Sequence, residues 1–359
     1  MLQRPIRVVM YGLGQIGTDI ARLIHQQPHL QLVGGIERDP LKVGCDLSEV
    51  LGSSQPLGAR VRASAGDVLR QTRPDVVVIA TASFLRDVFP QIRDCLAVGA
   101  RVVSTCEELV YPPASHPEVA QDLEEEARAA GVAVLGIGSN PGFVMDMLPI
   151  LLTAPSIDIQ RVRVERVVDA STRRVTLQQR IGAGLDPLAF RDWLHQRTTP
   201  HVGLVHSLRM IADAFGWRLD RIDEHTEPIL AESWLRTPYV TAAPGQVAGI
   251  HQSARGFMER REVLNLDWRT AIGLTDTHDA IRIEGTPPID MLVRGGIHGD
   301  LATAALVVRA IPHLMQLRPG LRTVLDLPVL HYAQIQSPLS RERGQEQAPR
   351  SQPTNVTSS

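Results

Sequence analysis

Gly12-Leu13-Gly14-Gln15-Ile16-Gly17 follows the apolar run Val8 to Tyr11 and passes into a pattern that sets Ile16, Ile20, Leu23 and Ile24 on one helix face. Strand, glycine turn and helix in that order form a cradle for a dinucleotide diphosphate. Gly12 permits the tight turn, Gly14 lets a diphosphate approach the backbone, and Gly17 lets helix and strand pack closely. Leu13, Gln15 and Ile16 supply backbone between them, and the helix N-terminus adds free N–H groups and partial positive charge. The bland alternative is a glycine turn without a ligand. A second apolar run, Leu30 to Ile36, ends at Glu37, where a carboxylate accepts hydrogen bonds from an adenosine ribose diol. Glu37 repels a 2′-phosphate while Arg38 pairs with one, so either NAD or NADP is expected.

Two consecutive carboxylates, Glu107 and Glu108, follow the strand-like run Arg101 to Thr105, where a nicotinamide ring would lie. If extended geometry persists, only one of them points at the cofactor. Such a carboxylate acts as a general base or stabilises a cationic intermediate; the alternative is two loop carboxylates facing water. The chain has a single lysine, Lys42, far upstream, so a lysine is not at hand to polarise a carbonyl. An acidic group in that place suits an electrophile that is itself positive, an iminium. That points to amine–ketone interconversion.

The elements that position these groups alternate strand and helix. Asp75 to Thr81 is a β-branched run ending in the small residues Thr81, Ala82 and Ser83, at the strand edge where doubly wound sheets bind ligands. A helix over 86–98, the strand ending at Cys106, a charged helix over 117–130 and a strand over 132–135 follow. Asn140-Pro141 then makes a turn at which Asn140 is placed to hold the nicotinamide carboxamide. Phe143 either walls a substrate pocket or is a core aromatic, and Thr303 either approaches the same site or is structural. His201 is a further substrate-side candidate. His201 and His206 are spaced five apart, which does not set two ligands on one helix face, and no metal is expected.

Beyond Phe143 the pattern is less regular. Arg161 to Val168 alternates polar and apolar, as in a strand with one wet face, and a long apolar helix runs from Leu301 to Leu314. The expected fold is α/β: a Rossmann-type doubly wound parallel sheet over 1–143, then a second α/β domain with a mixed open sheet over 144–295, for substrate and dimerisation. Residues 296–335 are expected to pack back on the first domain, and the polar 336–359 to form a disordered tail. With 359 residues and a formal net charge of −2, the composition is that of a globular protein with no bias towards nucleic acid or membrane. No apolar run spans a bilayer, no secretory signal is visible, and three cysteines without C-x-x-C spacing indicate neither disulfides nor zinc. A cytoplasmic setting is expected.

Several stretches carry a resemblance. The glycine fingerprint, Ala80 to Leu85, Ser104 to Leu109 and Asn140 to Phe143 are similar to the native amine dehydrogenase and 2,4-diaminopentanoate dehydrogenase group, related to dihydrodipicolinate reductases. Val167 to Ser171 and Gly296 to Asp300 extend the similarity into the second half. The resemblance implies NAD(P)-dependent reductive amination of a ketone or aldehyde by ammonia, oxidative deamination in reverse, and a homodimer. It also implies a glutamate acting on the amine at Cys106-Glu107-Glu108, with Glu107 favoured by a gap-free match to the lysine of related dehydrogenases. The alternatives are 2,4-diaminopentanoate dehydrogenase proper, whose pocket needs a cation (Arg163, Arg166, Arg173 and Arg174 are available), and a sensor that binds NAD(P) without turnover.

Overall fold

The structure, a computed structural model, describes residues 4–196 and 202–332. The first half alternates as expected. Its elements begin with β1 (Ile6–Tyr11), α1 (Gln15–His25), β2 (Leu30–Ile36), α2 (Leu47–Leu51), β3 (Val61–Arg62) and α3 (Ala65–Thr72). They continue with β4 (Val76–Ile79), α4 (Leu85–Leu96), β5 (Arg101–Ser104), α5 (Pro117–Ala129) and β6 (Ala133–Gly136). The fully buried valines of β4 and β5 show why that composition suits a strand covered on both faces.

Next come α6 (Met147–Leu152), β7 (Asp158–Asp169), α7 (Val175–Arg180), α8 (Pro187–Gln196) and α9 (Leu204–Ala214). Strands β8 (Arg221–Leu230), β9 (Leu235–Arg236), β10 (Thr241–Ala242), β11 (Val247–Met258) and β12 (Arg261–Ala271) follow. The chain then forms β13 (His278–Thr286), β14 (Ile289–Arg294), α10 (Gly299–Leu314) and β15 (Gly320–Arg322).

A seven-stranded parallel sheet has the order β15-β6-β5-β4-β1-β2-β3. Chain order reverses between β1 and β4, which opens a crevice at their carboxyl ends. A six-stranded sheet, β14-β13-β7-β12-β11-β8, is mixed, since β12 pairs parallel to β7 and every other pair is antiparallel. Helix α10 then returns to the first sheet, packing Val307, Ile311 and Leu314 into the core that holds Val8, Met10 and Ile20 of β1 and α1. Strand β15 extends the same sheet beside β6.

The alternation of β7 has a consequence. Val162, Val164 and Arg166 share the face turned inward, and Arg163 and Glu165 the outward one. Arg166 is therefore buried, at 3% exposure, rather than part of the wet face. The stretch 39–57 contains α2, started by a capping box between Asp46 and Glu49. No helix among the described residues is long and apolar enough to cross a membrane.

Candidate active site

Two connected cavities open at the crevice. The first, of about 800 Å³, is lined by Gly12, Gly14, Glu37, Arg38, Thr81 and Ala82, among others. The second, of about 260 Å³, shares Ala80, Thr81 and Ala82 with it and reaches Ser83, Thr105, Glu107, Asn140, Pro141 and Thr303. Ile16 lines its near end.

The glycine loop fits a dinucleotide. Gly12 has φ +94° and a Cβ there would lie 2.7 Å from the Ala80 carbonyl oxygen, whereas one on Gly17 would overlap the Gly12 carbonyl. Gly14 has open space where a Cβ would stand, and it begins α1 without any side-chain cap. The first N–H groups of α1 are thus left to a ligand. Gln15 turns outward and bonds Asp19, so it contributes backbone only. Glu37 sits at the end of β2, accepting Leu13 N–H at 2.7 Å on Oε2 and Arg38 N–H at 2.7 Å on Oε1. Arg38 is exposed at the rim of the same cavity.

Glu107 and Glu108 part company because the chain turns into a 3-10 helix (Glu108–Val110) immediately after Glu107. Glu107 faces the second cavity. Its Oε1 accepts Ser83 Oγ at 3.2 Å, and its Oε2 accepts Arg180 Nη2 at 2.9 Å and Val202 N–H at 3.1 Å. Glu108 turns away and is buried. Its Oε2 accepts Leu85 N–H at 2.6 Å at the start of α4, where Phe84 offers no cap of its own, and pairs with His116 at 3.2 Å. It does not line the cavity.

Other expected residues divide similarly. Asn140, joined to Pro141 by a cis peptide, lines the cavity. Thr303 lines it too, and its Oγ1 accepts the Ser139 N–H at 3.0 Å. Cys106 points into the core, where burial pushes its thiol up to about 12, so it reaches the cavity with neither Sγ nor charge. Phe143 packs between the two hydrophobic cores rather than walling the pocket. His201 lies outside the described residues.

The second domain contributes what the sequence reading left open or missed. Arg166, Arg173, Arg174 and Arg180 all line the cavity; Arg163 lies on the opposite sheet face. Buried Arg166 pairs with Asp279 at 2.9 Å and donates to the Ile297 carbonyl at 2.6 Å. Arg173 (2.9 Å) and Arg174 both pair with Asp300, so two guanidinium groups share one carboxylate. Burial raises the Asp300 carboxyl, but the Arg173 hydrogen bond and the Arg174 charge outweigh it and hold the group below its ordinary value. Asp146, fully buried, accepts Gly142 N–H, Met147 N–H and Ser207 Oγ at 2.7, 2.6 and 2.7 Å. It thereby ties the Asn140-Pro141-Gly142 turn to α9. Arg180 and Asp146 act across long stretches of sequence, and no local motif announces them.

The parallel sheet, the glycine loop and the crevice define an oxidoreductase that uses a nicotinamide dinucleotide, NAD or NADP. Residues 143–340 match the 2,4-diaminopentanoate dehydrogenase C-terminal domain family, and residues 6–105 match the dihydrodipicolinate reductase N-terminus. The chain is 32% identical over 333 residues to the 2,4-diaminopentanoate dehydrogenase of Acetoanaerobium sticklandii, covering 90% of this chain and 94% of that one. It is 26% identical to an amine dehydrogenase of Streptomyces virginiae, over 90% of this chain and 96% of that one. The solved amine dehydrogenase of Mycobacterium smegmatis matches with a TM-score of 0.84 at 28% identity, covering 92% and 98% of the two chains. The chain belongs to the 2,4-diaminopentanoate dehydrogenase family.

Proposed function

We propose that the protein interconverts a primary amine and its carbonyl compound, with ammonia as the nitrogen partner and NAD(P) as the redox partner. The observation that carries this reading is the Glu107 carboxylate in the cavity that continues the dinucleotide crevice, in a chain with no lysine there to polarise a carbonyl. Arg180 and the Val202 N–H can only donate, which is the environment of an ionised carboxylate.

In the deaminating direction Glu107 takes a proton from the substrate ammonium and frees the nitrogen lone pair. Bound oxidised dinucleotide supplies a hydride acceptor for the carbon bearing that nitrogen. The resulting iminium is positive, and Glu107, once it has passed the first proton to solvent, is again a carboxylate and stabilises it. Glu107 then accepts a proton from the water that adds to the iminium carbon and passes it to the nitrogen, and ammonia leaves with the hydroxyl proton as the carbonyl forms. Read backwards, the same steps are reductive amination. Ser83 and Arg180 hold the carboxylate in place, and Asn140 is the group we assign to the nicotinamide carboxamide. The reading includes a cytoplasmic homodimer, and sedimentation of the purified protein tests the dimer.

Arg173 and Arg174, sharing the single Asp300, favour a narrower reading in which the amine also carries a carboxylate. The A. sticklandii relative is named for such a substrate, 2,4-diaminopentanoate. The test is NAD(P)⁺ reduction with 2,4-diaminopentanoate beside simple primary amines of matched length. Turnover of both supports the broad reading, and turnover of the carboxylate alone selects the narrow one. Tight dinucleotide binding with no amine turned over would leave a sensor.

A further inference from the structure

Lys42, the sole lysine of the chain, has no part in the chemistry above, yet it lies against the glycine loop. Its Nζ donates to the Leu13 carbonyl oxygen at 2.9 Å, with the Asp39 carboxylate 3.5 Å away. The same oxygen receives Thr18 Oγ1 at 3.0 Å, while Glu37 holds the preceding peptide through the Leu13 N–H. The Leu13 carbonyl shares its peptide plane with the Gly14 N–H. In a trans peptide the two point in opposite directions, so fixing the oxygen fixes where that N–H points. Gly14 is the uncapped start of α1, with open space beside it. An ammonium on the carbonyl also polarises the peptide and strengthens the N–H as a donor on its far side.

We propose that Lys42 is a positioning residue for the dinucleotide: its ammonium orients and polarises the Leu13–Gly14 peptide so that the Gly14 N–H is presented to the diphosphate. Its side chain is 32% exposed and belongs to a connecting segment, so its removal leaves the cores intact. The proposal rests on the dinucleotide assignment and is independent of the amine–carbonyl chemistry.

Protein free of dinucleotide is titrated with NADH and with ADP-ribose, followed by calorimetry, and adenosine is measured as a competitor. Lys42→Met is expected to raise the dissociation constants of the two diphosphates by about ten-fold, as befits a charge-assisted hydrogen bond partly backed by Thr18. Adenosine, which has no phosphate, should change by less than about two-fold, and Lys42→Arg should stay within about three-fold of wild type. The absence of any other lysine adds a second arm. Acetylation of folded wild type with an N-hydroxysuccinimide ester should reproduce the Lys42→Met loss, whereas treated Lys42→Arg keeps its affinity. Unchanged diphosphate affinity in Lys42→Met, equal weakening of adenosine, or an equal response of wild type and Lys42→Arg to acetylation would each overturn the proposal.

Discussion

In Glu107→Gln the side chain keeps its length and can still accept Arg180 and the Val202 N–H through oxygen, while its amide nitrogen meets the Ser83 hydroxyl, which accepts as readily as it donates. What disappears is the proton acceptor and the negative charge facing the iminium. A general base contributes about 10²–10⁴-fold. At about 1.36 kcal/mol per decade, this adds about 2.7–5.4 kcal/mol to the barrier. The structural cost is smaller: the Arg180 pair is partly exposed on both sides, at 27% and 15%, and losing its charge costs about 1 kcal/mol of stability. Turnover should therefore fall by at least about 10² while the melting temperature moves by only a few degrees. Glu108→Gln should do the reverse. It weakens the cap on the Leu85 N–H, lowering stability by about 0.5–2 kcal/mol, and leaves kcat within about three-fold. The assay is the absorbance of reduced nicotinamide under saturating amine, with thermal melts of the same preparations. A Glu107→Gln enzyme with kcat within about three-fold of wild type would refute the assignment.

Gly17→Ala drives a methyl into the Gly12 carbonyl and should abolish dinucleotide binding in a calorimetric titration, with melting of the first domain also lowered. Arg38→Ala should raise KM for NADPH by about ten-fold and leave KM for NADH within about two-fold, as steady-state kinetics with each cofactor will show. His206 is buried and neutral, its Nε2 on Ser115 at 2.8 Å and its Nδ1 on the Val202 carbonyl at 3.0 Å, and burial holds its pKa below 6.5. A depressed folded-state value means the unfolded chain binds the proton first, so stability is full above pH 6.5 and declines as pH falls through the folded value. Melts between pH 7.5 and about 5 should show a shallower decline in His206→Gln than in wild type.

Local patterns exposed the frame. The β-branched runs of β4 and β5, the glycine fingerprint and the acid at the end of β2 are readable because their spacing is itself the structure. Side-chain direction was less accessible. Extended alternation allows one of Glu107 and Glu108 to face inward, but the 3-10 turn that begins at Glu108 decides which. Cys106 and Phe143 occupy plausible positions in sequence and point into cores. Lys42 is far from Glu107 and Glu108 along the chain and reads as irrelevant to them, yet its long stem reaches the Leu13 carbonyl. The arginines of β7, of α7 and of the turn between them meet Asp279, Glu107 and Asp300 only after the second sheet folds over the crevice, and pairings at that separation leave no local periodicity to read.

The most direct test of the amine–carbonyl account follows both transferred atoms at once. Purified protein is given a ketone or aldehyde substrate, reduced dinucleotide deuterated at the transferring position, and ¹⁵N-ammonium, and the product is analysed by mass spectrometry. The account predicts a primary amine that carries both labels, and no oxidation of the dinucleotide when ammonium is omitted. A deuterated alcohol formed at the same rate without ammonium would contradict it, because the carboxylate at Glu107 would then be serving a carbonyl and not an iminium.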